Sequence, residues 1–160
     1  MSEDGGKDVA AAGGQITAPQ AWCAVTAAGH LGWEVAQLPL YRLWTSAPAY
    51  EIALDVGHCF LGDLLIAIFS LGAAIAIWGD WSWPAGHFAP VAATALAFGL
   101  VWTAFSEWRN IELQNAWAYS EWMPTIPIPG FDLGLSPVSQ WIVVPACAML
   151  ACRRARRAGG

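Results

Sequence analysis

Residues 51–78 read EIALDVGHCFLGDLLIAIFSLGAAIAIW. The second half of this stretch is almost wholly apolar, and the whole is long enough to cross a lipid bilayer with some tilt. Its first half nevertheless carries Glu51, Asp55, His58 and Asp63. A charged side chain near the centre of a membrane helix costs roughly 2.5–3.5 kcal/mol on insertion scales, so such residues belong on a face turned away from lipid. At about 100° per residue, Glu51, Asp55, His58 and Gly62 fall in one narrow stripe. The segment therefore predicts a membrane helix over about 50–78 that forms one wall of a polar pocket.

The rest of the chain fits this reading. Of its 160 residues, 57% are hydrophobic and only 12% charged, about half the charged share usual for a soluble protein. The net charge of −5 averages an acidic start, an acidic interior and a basic end. No basic patch with interleaved aromatics is present, so nucleic acid is not an expected partner. Cys23, Cys59, Cys147 and Cys152 lie within or beside apolar blocks without CxxC spacing, which is not the framework of a small disulfide-stapled domain.

Three more spans are expected: residues 21–44, 87–111 and 136–152, the last with Ser136 as N-cap, Pro137 in the first helical position and a kink at Pro145. The first is weak by hydropathy because it holds His30, Glu34 and Gln37. Between the third and fourth spans, the aromatic stretch 112–123 predicts a short interfacial helix, and the Pro- and Gly-rich stretch that follows predicts a rigid loop. The fold class is all-α: a four-transmembrane-helix bundle. Its organisation is a flexible tail over 1–19, a single transmembrane domain over 20–153 and a basic tail over 154–160. The start does not read as a signal peptide, since the first apolar block begins only after Pro19. No internal repeat supports an inverted-repeat transporter.

Arg153, Arg154, Arg156 and Arg157 directly follow the last span, so that end is expected in the cytoplasm, and with four spans the N-terminus as well. The expected location is a bacterial inner membrane. Trp78, Trp81 and Trp83 would mark the inner interface, with Asp80 and His87 wetted beside them. Trp44, Trp108, Trp117, Trp122 and Trp141 would mark the outer one.

Two further helices carry polar stripes: Thr26, His30, Glu34 and Gln37 on the first span, and Thr103, Ser106, Glu107 and Asn110 on the third. At about 1.5 Å per residue, Glu34, Asp55, His58 and Glu107 all lie roughly 6–15 Å below the outer surface. Acid exceeds base in this region and calls for a cation. His30, Glu34, Asp55, His58 and Glu107 are the candidate metal ligands, a mixed imidazole and carboxylate set suited to Zn, Fe or Mn, or to Cu if Cys59 takes part. Glu51, Cys59, Asp63 and Asn110 are candidates for a relay or for supporting contacts. His30 and His58 are the only histidines placed to ligate a haem as an axial pair.

Glu112 lies off the face of Glu107, and with Glu121 it reads as solvated at the outer water. The expected function is a membrane metalloenzyme or metal-handling protein. The alternatives are a proton- or ion-translocating subunit and an accessory subunit of a larger membrane complex, whose stripes act as a structural polar network. Candidate partners are the lipid bilayer, other membrane subunits and a second copy of the chain. No GxxxxGK[ST], HExxH or GxSxG motif is present.

If both termini are cytoplasmic, a cysteine tag placed after Gly160 will stay unlabelled by an impermeant reagent applied outside intact cells. Labelling from outside would overturn the orientation.

Overall fold

A computed structural model of the protein describes residues 16–79 and 81–159. Most of the proposed N-terminal tail, together with Asp80 and Gly160, lies outside the described residues. The first helix, α1 (Ala18–Gln37), begins three residues before the expected span. The cause is local: Thr17 and Gln20 form a capping box, Thr17 N–H donating to Gln20 Oε1 at 2.9 Å, with Pro19 in the first turn.

A continuous helix over 21–44 is not found. Pro39 restricts the residue before it, and the chain tightens into a 3-10 turn at Leu38–Leu40. It then forms only the short α2 (Leu43–Ser46). The helix α3 (Ala49–Trp78) contains the whole of residues 51–78, and it ends on Gly79 in the left-handed region (φ 60°). The helix α4 (Phe88–Trp108) follows and runs on through a π-helical turn, Arg109–Leu113. The last helix, α5 (Leu135–Ala158), continues through Pro145 and takes the basic tail into its final turns. It starts after Gly134, which puts Pro137 in its third position, so Ser136 is not the cap; its hydroxyl donates to Gln37 Oε1 at 2.9 Å instead.

Two features depart from an all-α chain. Strands β1 (Thr125–Ile128) and β2 (Phe131–Gly134) pair antiparallel, with Ile128 opposite Phe131. Pro129 and Gly130 (φ 99°) turn between them, as a type II turn requires. The expected interfacial helix over 112–123 is also absent. Beyond the π turn, this segment pairs in extended form with the chain after α1: Arg42 N–H donates to Ala118 O and Ser120 N–H to Leu40 O, both at 2.9 Å. Those partners satisfy the backbone groups that a helix would have bonded internally.

Among the described residues, three helices are long and apolar enough to cross a membrane: α3, α4 continued to Leu113, and α5. Their outward side chains are apolar, with Leu54 71%, Phe69 70% and Val101 69% exposed. Water would not tolerate so continuous an apolar surface, and these helices mark a membrane-embedded protein. The 20-residue α1 spans about 30 Å but is less apolar. Its buried face is mostly polar (Thr26, His30, Glu34, Gln37), while Leu31 and Val35 point outward. It packs chiefly on α5, and α3 packs on α4.

Trp141 is not an interface residue. It is 2% exposed and lies where Gly99 of α4 lacks a side chain. A Cβ at Gly99 would overlap the indole ring, so Gly99→Ala should destabilise the protein by about 1–3 kcal/mol. Gly57, also helical, has nothing within 4 Å of such an atom. Gly57→Ala should therefore be neutral or stabilising by up to about 1 kcal/mol. Thermal unfolding of both variants in detergent checks the contrast, and equal Tm values for the two would contradict the packing.

Candidate functional site

The polar stripes of α1, α3 and α4 face a cavity of about 140 Å3 at the end of the bundle that carries the hairpin. Glu34 and Gln37 line it from α1; Asp55, His58, Cys59 and Asp63 from α3; Thr103, Ser106 and Glu107 from α4; and Gln140 and Trp141 from α5. Asn110, Tyr41 and Trp117 complete the wall. Four carboxylates thus share one space, and among the described residues no lysine or arginine lines it.

The residues singled out from the sequence divide as follows. Glu34, Asp55, His58 and Glu107 line the cavity, as do Cys59, Asp63 and Asn110. His58 is the exposed member, whereas Glu34 and Glu107 are 7% and 6% exposed. Asn110 donates back to Ser106 O at 2.8 Å. Glu51 stays outside, exposed and accepting from Tyr50 Oη at 2.9 Å. His30 lies deeper and is fully buried, lining a separate, smaller cavity. His30 and His58 therefore do not line the same cavity, as axial haem ligands would have to. Among the described residues, no three of His, Cys, Asp and Glu stand close enough, as placed, to hold a metal ion.

A line of hydrogen bonds runs from the rim inward. Trp33 Nε1 donates to Ser136 Oγ at 3.1 Å and Ser136 to Gln37 Oε1. Gln37 Nε2 donates to Glu34 Oε1 at 3.0 Å. Gln140 Nε2 donates to the same Glu34 oxygen at 2.9 Å and to Asp63 Oδ2 at 2.8 Å. His30 Nδ1 lies 3.2 Å from Asp63 Oδ2 and 3.1 Å from Gln140 Nε2. An amide has two N–H groups, and both are used by the carboxylates. In the neutral ring, His30 Nδ1 then carries the hydrogen that points at Asp63. One amide on α5 thereby joins α1 to α3.

A second set of contacts closes the hairpin end. Tyr119 donates to Glu107 Oε2 and accepts from Gly134 N–H at 2.9 Å. Gly134 must lack a side chain because the Tyr119 ring occupies that position. Burial and the neighbouring Glu107 carboxylate push the Tyr119 phenol above its ordinary range, so it remains a donor. Burial, with Glu107 beside it, raises Tyr41 likewise. At the opposite end, His87 stacks on Trp78 with ring centroids 6.3 Å apart.

Sequence reasoning missed Gln140 and Tyr119. Gln140 had a signal: a lone amide inside an otherwise apolar span needs a buried partner. Tyr119 had none, because its role depends on the loop's path. No protein-family model, curated protein or solved structure matches the chain.

Replacing Gln140 with Leu removes the amide that donates to both Glu34 and Asp63. The expected loss of stability is about 1–3 kcal/mol, since two buried carboxylates each lose a donor and keep only Gln37 and His30 respectively. Ser136→Ala at the rim should cost less. Tm values of the two variants in detergent test this, and a Gln140→Leu protein as stable as the wild type would refute the assignment.

Proposed function

We propose that the protein is a small integral membrane protein with four spans, α1 being the fourth, and that its carboxylate pocket binds a cation. On this reading both termini are cytoplasmic, the membrane is a bacterial inner membrane, and the pocket opens in its outer half. The observation that carries the proposal is the lining: Glu34, Asp55, Asp63 and Glu107 around one cavity, with no lysine or arginine among the described residues that line it. A carboxylate excess in a low-dielectric region is costly unless a cation or protons offset it. Thr103 also lines the cavity, and its hydroxyl is buried without a partner among the described residues.

The cation proposed is a transition-metal ion. Asp55 and His58, three residues apart on α3, offer an oxygen and a nitrogen from one helix. Glu107 adds an oxygen from α4 and Glu34 one from α1. Imidazole with carboxylates suits Zn, Fe or Mn, and Cys59 would extend the choice to Cu. Binding would have to draw these groups together, and the exposed His58 is the one freest to move. The protein would then act in metal handling or as a metalloenzyme at the membrane surface. A second reading, as a translocating or accessory subunit, draws on the Gln140 network, which fastens three helices without any ion.

The test is metal content by mass spectrometry together with Tm for detergent-purified protein. Wild-type protein should carry about one equivalent of metal, and added Zn, Mn or Fe should raise its Tm. Saturation at about 100 times Kd corresponds to about 2.7 kcal/mol of stabilisation. The His58→Ala protein should lose most of the occupancy and most of that shift. Wild-type protein with neither stoichiometric metal nor a metal-dependent Tm would leave the structural network as the reading.

A further inference from the structure

The end of the bundle away from the pocket gathers positive charge. Arg153 lies over the ring of Phe88, 5.7 Å from its centroid, which brings the last turns of α5 to the start of α4. Trp78, the last residue of α3, donates from Nε1 to Thr94 Oγ1 of α4 at 3.0 Å and so stands at the same end. Arg153, Arg154, Arg156 and Arg157 are all exposed. At about 100° per residue they fan over an arc of about 160°. The four described stretches that lead to this end, residues 16–33, 64–79, 81–106 and 135–159, contain no aspartate or glutamate. Acid is concentrated around the pocket, and base stands without it here.

Depth and chemistry then limit what can meet these side chains. Along α5, at about 1.5 Å per residue, Arg153 stands roughly 27 Å beyond Leu135 and Arg157 roughly 33 Å. The hydrocarbon core of a bilayer is about 30 Å thick, so the guanidinium groups reach the level of lipid phosphates. Trp78 and Trp81 are 45% and 83% exposed at the same end, as tryptophans at a membrane surface are. A guanidinium offers paired N–H donors that match two phosphate oxygens. A zwitterionic headgroup carries an ammonium that offsets its phosphate, whereas an anionic headgroup keeps its net charge for the arginines.

We propose that the last turns of α5 bind the headgroups of anionic phospholipids, with Arg153, Arg154, Arg156 and Arg157 contacting the phosphates. Arg153 is held beside α4 by the Phe88 ring, so bound lipid bridges the ends of two helices. The proposal requires a membrane-embedded chain. It depends neither on a cation in the pocket nor on which side of the membrane this end faces.

The experiment uses the full chain in phosphatidylcholine vesicles, with spin-labelled phosphatidylglycerol or phosphatidylcholine as the probe. The fraction of label immobilised at the protein gives the relative association of the two lipids. Wild-type protein should favour phosphatidylglycerol by roughly fivefold or more, at least what one basic residue contributes at an anionic surface. Salt should reduce that preference towards one. Replacing all four arginines with Gln should abolish it, replacing them with Lys should retain most of it, and Arg42→Gln, at the other end, should leave it unchanged. The proposal is overturned if the wild type holds both lipids equally, if salt has no effect, or if the four-Gln protein matches the wild type. Inorganic phosphate that displaces the label more than chloride at equal ionic strength would show a site for a free anion and would also overturn it. So would a preference that emerges only after Glu3, Asp4 and Asp8 are changed to their amides, since those residues would then be the occupants. Should the four-Gln protein fail to insert, the wild-type salt series and Arg42→Gln decide the question.

Discussion

The Gln140 side chain donates to Glu34 Oε1 at 2.9 Å and to Asp63 Oδ2 at 2.8 Å, and much of the bundle's interior is arranged around that amide. It comes from α5, and its acceptors come from α1 and α3. In a membrane, apolar side chains gain little by leaving lipid for a protein interior, so packing and interhelical hydrogen bonds must hold helices together. Gln140 is 2% exposed, and water does not compete for its hydrogens. His30 completes the arrangement by giving Asp63 a second donor at 3.2 Å.

This constraint explains the inverted character of α1. Its buried positions are mostly polar and several of its outward positions are apolar, the reverse of a surface helix on a soluble protein. The arrangement is favourable only if the buried polar groups find one another. Trp33, Ser136, Gln37, Glu34, Gln140, Asp63 and His30 do so in an unbroken series. Close packing supports the series from below. Trp141 fills the space left by Gly99, and its ring lies 5.0 Å from that of His30, which holds the imidazole in place.

Above the network the pocket stays open because its remaining wall comes from loops. The hairpin presents Gly134 N–H to Tyr119, and Tyr119 reaches Glu107. The extended pairing of the Tyr119 segment with the chain after α1 sets where that phenol stands. Pocket and cover are thus two systems, one made of helix faces and one of loop backbone.

That division also separates what could be read in the chain from what could not. Apolar blocks and their polar stripes are local, periodic features, so the helices of residues 51–78 and 87–111, and the common face of Thr26, His30, Glu34 and Gln37, follow from spacing alone. Gly79 and the Pro129–Gly130 pair are likewise local, since each marks a backbone turn that its own residues permit. The path of residues 114–124 is different, because it depends on hydrogen bonds to residues about 80 positions away, such as Ser120 Oγ to Pro39 O. No local propensity encodes such a bond. Trp141 shows the same limit: a tryptophan near a span end suits the membrane interface equally well, and only the gap at Gly99 on another helix draws it inward. His30 separates from His58 for a related reason. The sequence placed both on polar stripes, but the depth at which Asp63 and Gln140 capture the His30 ring was decided by how four helices pack.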